Sequence, residues 1–201
     1  QDSLGNITRI YSSLHVTKVN ADSTLDGLTI SNGNANGSLS WTRPRIPVYD
    51  RGGGCFVTKE KVLTLQGCTF SSNNASEFGG AILIEDGLNP STLGKVVATN
   101  CTFDQNSIFV TPLGPDSCEG GAVYGNVDAV NCTFSANGVR ARKLANGGAI
   151  AGNVTANNCT FTGTGNASSS WAAMNLGALA TVARDGLKAG DAVIVTGYGT
   201  N

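Results

Sequence analysis

One stretch recurs along this chain and limits its architecture more than any other feature. Gly67-Cys68-Thr69-Phe70-Ser71-Ser72-Asn73 leads to Gly79-Gly80-Ala81-Ile82. Asn100-Cys101-Thr102-Phe103-Asp104-Gln105-Asn106 leads to Gly120-Gly121-Ala122-Val123, and Asn131-Cys132-Thr133-Phe134-Ser135-Ala136-Asn137 to Gly147-Gly148-Ala149-Ile150. A fourth copy starts at Asn158-Cys159-Thr160-Phe161-Thr162 and then drifts. Upstream, Asp26 to Ala35 matches Gln66 to Ala75 position for position. A repeat of this length cannot bury its apolar face alone and has to stack on its neighbours.

In an extended strand successive side chains face opposite ways. Cys and Phe of each Cys-Thr-Phe-Ser unit then share one face, and Thr and Ser the other. Cys and Phe are commonly buried, whereas Thr and Ser are not. The sequence therefore predicts an inward column of Cys68, Cys101, Cys132 and Cys159 beside one of Phe70, Phe103, Phe134 and Phe161. Leu28 and Ile30 would extend these columns at one end, and Val193 and Val195 at the other. With rungs about 4.8 Å apart the Phe rings stack. Asn73, Asn106 and Asn137 fall at a corner, where Asn tolerates left-handed geometry and its amides can form a ladder. The Gly-Gly pairs read as a tight bend, with Ala and Ile/Val after them as inward groups of a second sheet. Cys55 reads as the substitute for the Ala of Gly-Gly-Ala.

Strand, turn, strand and turn in each stacked repeat describe an all-β chain folded as a parallel β-helix of about five to six coils. The Leu-x-x-Leu-x-Leu pattern of a leucine-rich solenoid does not occur. Near-identical adjacent repeats are not the signature of a hairpin-built sandwich. Residues 1–24 read as an opening coil or N-terminal cap and 25–174 as the repeats. Residues 175–201 read as a degenerate last coil, with Leu179 aligned to Ile150 and Val193–Thr196 to Cys159–Thr162. Irregular insertions fall at 34–51, 74–78, 107–119 and 138–146 after the corner Asn, and at 83–95 after the second strand. All five prolines lie in these insertions, where no ladder hydrogen bond is lost.

Phe-x-x-Asn paired with Gly-Gly-Ala-Ile/Val resembles the repeat of the chlamydial polymorphic outer membrane proteins, which also occurs in other secreted right-handed β-helix proteins. The resemblance covers about residues 52–164. It implies a right-handed helix and an extracellular or surface-displayed passenger domain, often adhesive. No membrane-barrel segment follows the repeats in this sequence, so autotransport is not expected.

Thirteen basic residues against fourteen acidic ones leave a net charge of −1. That balance gives no field for nucleic acid or anionic membrane. No apolar run is long enough for a transmembrane segment. The chain starts at Gln1, which fits a removed leader. Eight Asn-x-Ser/Thr sequons begin at Asn6, Asn36, Asn74, Asn100, Asn131, Asn153, Asn158 and Asn166, as expected by chance in so Asn- and Thr-rich a chain. Composition leans extracellular.

The six cysteines show no zinc pattern, and His15, the only histidine, has no partner acid or cysteine in sequence. No metal or cofactor is expected. Stacked Cβ vectors run parallel, so the column cysteines are expected free and buried. A Cys55–Cys118 bridge is weakly motivated. Polysaccharide lyases and hydrolases built on β-helices need paired or metal-binding acids. Here Asp104 is the lone acid of the outward columns, and Asp50, Glu85, Asp86, Asp116 and Glu119 are scattered among insertions. The chain is therefore expected to be no enzyme. The polysaccharide-active reading survives only if Glu85-Asp86 and Asp116/Glu119 converge.

Three features remain as candidate contacts. Thr29, Thr69, Thr102, Thr133 and Thr160 form an outward column that suits ice or an ordered glycan, although Thr is also simply a good strand residue. Arg140, Arg142 and Lys143 form a basic cluster suited to an acidic glycan, or a solvated loop. Trp41 and Tyr49 in the longest insertion could form a sugar platform, or pack that loop on the flank. The expected role is an adhesin or a structural subunit of an extracellular assembly. Its partners would be other protein chains or a cell-surface glycan, with end-to-end self-association through the strand edges at the stack's ends.

Overall fold

A computed structural model describes residues 15–35, 51–85, 93–109, 117–140, 144–162, 165–166, 174–176 and 194–196. These residues form a parallel β-helix. Sheet I stacks Thr17–Val19, Cys55–Val57, Ile82–Ile84, Val123–Tyr124, Ile150–Gly152 and Met174–Leu176. Sheet II stacks Ser23–Asp26, Val62–Gln66, Lys95–Thr99, Val127–Val130 and Val154–Asn157. Sheet III stacks Thr29–Ser31, Thr69–Ser71, Thr102–Asp104, Thr133–Ser135, Thr160–Thr162 and Ile194–Thr196. Sheet IV stacks Asn34–Ala35, Asn74–Ala75, Ser107–Phe109, Gly138–Arg140 and Gly165–Asn166, and a small sheet V pairs Ser117–Glu119 with Leu144–Asn146. The first five coils visit sheets I to IV in that order, the described strands of the last lie in sheets I and III, and every described pairing is parallel.

Between sheets I, II and III lies the main core. Leu63 and Leu65, Val96 and Ala98, Val127 and Ala129, and Val154 and Ala156 alternate inward from sheet II. From sheet III come the phenylalanines, stacked with centroids 5.3, 4.7 and 4.7 Å apart and planes within 12° of parallel. Each such pair contributes about 0.5–1.5 kcal/mol beyond the burial itself. A second, smaller core of Ala35, Ala75, Ile108, Cys118, Val139 and Ala145 draws on sheets IV and V.

The turns explain which residues the repeat can tolerate. Between sheets II and III the chain passes through a left-handed residue: Gly27, Gly67, Asn100, Asn131 or Asn158, with φ between 50 and 63°. Gly and Asn are the residues that reach this region at least cost. Between sheets III and IV the left-handed residue is Asn32, Ser72, Gln105 or Ala136. This corrects one expectation, because the corner Asn is not the left-handed residue. The residue before it takes the strained conformation, and the Asn side chain is free to turn inward.

At the Gly-Gly bend Gly79 has φ +61°, and a Cβ on Gly80 would lie 2.1 Å from the Gly121 carbonyl oxygen. Two successive amides, those of Ala81 and Ile82, then donate to the one carbonyl of Ala122, each at 2.9 Å. This bulge lets Ala81 and Ile82 both face inward. The same arrangement pairs Gly54 and Cys55 with the Ala81 carbonyl, and Cys55 stands in register with Ile82. Cys55 therefore replaces Ile, and Gly54 replaces Ala, contrary to the alignment read from sequence.

Other expectations change as well. Leu28 is 48% exposed instead of filling the cysteine column. The position is a tight one, where cysteine sulfurs sit 3.2–3.4 Å from the carbonyl two residues back, and leucine is larger. The insertion limits also shift. Asn74–Ala75, Ser107–Phe109, Ser117–Glu119, Gly138–Arg140 and Leu144–Asn146 are strands within segments read as insertions. In the last coil Met174, not Leu179, pairs with Ile150, whereas Ile194 and Val195 pair with Thr160 and Phe161 as aligned. Val193, Leu179 and the five prolines lie outside the described residues, as do the side chains of Ile194 and Val195.

Candidate functional site

The most regular exterior surface is that of sheet III. Strand pairing holds Thr29, Thr69, Thr102, Thr133 and Thr160 in one row, and Ser31, Ser71, Asp104, Ser135 and Thr162 in a second. The residue between the two rows (Ile30, Phe70, Phe103, Phe134 or Phe161) is buried, so both rows point outward. Asp104 is tied down within the wall: the Ser135 hydroxyl donates to its Oδ1, and Gln105 Nε2 donates to its Oδ2 at 3.0 Å. Along one margin stand the exposed left-handed asparagines, with Asn158 Nδ2 donating to Asn131 Oδ1 at 2.7 Å. The chain runs without excursion from sheet II into sheet III in five coils, over 23–31, 62–71, 95–104, 127–135 and 154–162.

The segments that vary in length leave elsewhere, on the way into or out of sheet I. There Arg51 donates to Glu77 at 2.9 Å and lies 4.7 Å above the Phe78 ring, which in turn packs 4.6 Å from Tyr124. His15 Nδ1 lies 2.8 Å from the Gly52 carbonyl and its ring packs on Phe56. These contacts close the flank of sheet I. Arg140 belongs to a sheet IV strand and lies 5.4 Å above the half-exposed ring of Phe109. That pair was not anticipated. In-register sheet IV strands bring the two residues together, and only the three-dimensional pairing reveals it. Arg142, Lys143, Trp41, Tyr49, Asp50, Asp86 and Asp116 lie outside the described residues.

The described carboxylates with a named partner are dispersed. Asp22 accepts from the Val62 amide, Glu77 from Arg51, Glu85 from the Lys59 amide and Asp128 from Lys95. Among the described residues no three His, Cys, Asp or Glu side chains converge as a metal site.

All six cysteines are buried and none is in a disulfide. In the column, Cys101, Cys132 and Cys159 donate to the carbonyls of Thr99, Val130 and Asn157. Cys132 is held in the thiol form by its sulfur hydrogen bonds to Cys101 and Cys159, and then by burial. Burial pushes the Cys55 thiol up to about 12. Cys55 lies in the main core and Cys118 in the second one.

At the corner, Asn73, Asn106 and Asn137 are buried. Each Nδ2 donates to a carbonyl in the preceding coil, of Ile30, Phe70 and Phe103 respectively, at 2.8–2.9 Å. Asn73 and Asn106 also donate to the Oδ1 of the next asparagine, at 3.0 Å.

A family model described as the Chlamydia polymorphic membrane protein repeat matches residues 67–85. That stretch spans the sheet III strand, the corner Asn73, the Gly79-Gly80 bend and the sheet I strand that follows. No curated protein and no solved structure matches the chain. Among the described residues no helix is long and apolar enough to cross a membrane.

Proposed function

We propose that this chain is the β-helical part of a non-enzymatic protein displayed at a cell surface or outer membrane, acting as an adhesin or as a structural element of an extracellular assembly. The observation that carries this reading is the polymorphic membrane protein repeat at 67–85, set within a stack of in-register coils. Two further features support it. The strand pairing is regular through sheets II and III, while chain-length variation concentrates around sheet I, the usual division between scaffold and contact loops. The carboxylates with a named partner (Asp22, Glu77, Glu85, Asp104 and Asp128) bond at separate places, and none of those bonds pairs two acids for hydrolysis or elimination.

The test is surface accessibility in the producing cell. Mild protease treatment of intact cells is expected to remove the chain from the cells while an internal marker protein survives. Antibody against the chain is expected to reduce attachment of those cells to their substratum. Protection of the chain from protease until the cells are lysed would sink the proposal.

A further inference from the structure

We infer that the outer wall of sheet III is a binding surface for an extended, neutral polysaccharide laid along the helix axis. This deepens the surface-protein reading and rests on it for its setting. Among the described strands, sheet III carries a hydroxyl or carboxylate at the same two outward positions in five successive coils, from Thr29–Ser31 to Thr160–Thr162, and the row ends where Ile194 pairs with Thr160.

Its chemistry narrows the partner. The two rows carry nine hydroxyl side chains and one carboxylate, Asp104. They present no cation to meet a phosphate, sulfate or uronate, and Asp104 repels such groups. Asp104 is already bound by Ser135 and Gln105 and so is fixed in place as an acceptor. Fixed acceptors and hydroxyls that both donate and accept complement the hydroxyls of an uncharged sugar chain.

Its size narrows the partner further. Five rungs at about 4.8 Å and one turn-to-turn width give a wall of roughly 20 Å by 15 Å, on the order of 300 Å². A stable protein–protein contact takes about 800 Å² per partner, so the wall is too small to hold a second copy or another globular chain by itself. It is long enough for several sugar units of one strand, which meet equivalent groups at each rung. No aromatic side chain stands in the two rows, so affinity has to come from repetition along the column.

The experiment is co-sedimentation of the full chain with insoluble neutral polysaccharides (cellulose, chitin and a β-1,3-glucan), against resins carrying alginate or heparin. Retention on at least one neutral polymer is expected, unchanged between 50 mM and 500 mM salt. Thr102→Lys and Thr133→Lys are expected to lower it at least tenfold. Thr102→Val, which keeps shape and strand preference, is expected to lower it severalfold with the melting curve intact. Arg140→Ala on sheet IV is expected to leave it unchanged. Retention on the anionic resins only, lost in salt and in Arg140→Ala, would overturn the inference. So would neutral binding that survives all three threonine variants, absence of binding to any neutral polymer, or retention of a protein partner instead. Each of these leaves the protease-accessibility result standing, so the two readings fail separately.

Discussion

The side-chain amide of Asn106 donates one hydrogen to Asn137 Oδ1 at 3.0 Å and the other to the Phe70 carbonyl at 2.9 Å. Its own Oδ1 accepts from the backbone amide of Asn73 at 3.1 Å and from Asn73 Nδ2 at 3.0 Å. One buried side chain thus satisfies polar groups in three successive coils. Removing it by Asn106→Ala orphans two Asn73 donors, its backbone amide and one side-chain amide hydrogen. At about 1–3 kcal/mol for each buried unsatisfied group, the variant should lose on the order of 4 kcal/mol in urea unfolding. A loss under about 1 kcal/mol would mean that water replaces the ladder.

Phe134 is stacked on both Phe103 and Phe161, with centroid distances of 4.7 Å. Phe134→Ala removes a fully buried ring from the middle of the column. Large-to-small changes of this kind cost about 3–5 kcal/mol. Phe134→Leu retains most of the burial and should cost less than half as much. Equal losses in the two variants would show that stacking, rather than burial, dominates.

Gly67 and Gly80 make opposite demands. Gly67 has φ +56°, but a Cβ there meets nothing within 4 Å, and its equivalents in later coils are Asn100, Asn131 and Asn158. Gly67→Asn is therefore expected to change stability by less than about 0.5 kcal/mol. Gly80→Ala places its Cβ 2.1 Å from the Gly121 carbonyl oxygen and 2.6 Å from that of Ser107, both fixed backbone. That variant should lose at least about 3 kcal/mol or fail to fold cooperatively. Thermal melts of the two variants side by side are the check.

Cys55 provides a pH signature. Burial raises its thiol from the ordinary value of 9.0 to about 12. Between these values the folded chain holds a proton that the unfolded chain releases. Stability tied to the neutral thiol is therefore complete below about pH 9 and falls as pH rises toward 12. Urea midpoints measured from pH 8 to 11 should drop more steeply for the natural chain than for Cys55→Val, which cannot ionise. The difference is bounded by about 1.4 kcal/mol per pH unit. Parallel curves would show that the thiol gains water on the alkaline side.

Much of the scaffold was legible from residues alone. Alternation within Cys-Thr-Phe-Ser assigns Phe70 to the interior and Thr69 and Ser71 to the exterior, because a strand has only two faces and one is buried. Sheet II is legible too: Leu63/Leu65, Val96/Ala98, Val127/Ala129 and Val154/Ala156 stand five and three residues before each column cysteine. Spacing from the conspicuous cysteine is the signal for it. The candidate site was legible only as a row of threonines. That the chain runs without interruption from sheet II into this row on sheet III, with the segments of varying length joined at sheet I, required the order in which the coils visit the sheets.

Sequence by itself determined the repeat, its inward and outward faces and hence the stacked parallel architecture, since periodicity acts through local strand geometry. Tertiary structure alone decided what depends on the neighbouring coil. It set the left-handed strain on Ser72, Gln105 and Ala136 instead of the asparagines, because the amide of each Asn is more valuable paired across coils. It put Cys55 in the place of Ile82 through a bulge at Gly54. It turned Leu28 outward from a position sized for cysteine, and brought Arg140 over Phe109. Each outcome is fixed by contact with residues of a neighbouring coil, 26 or more positions away, which no local pattern encodes.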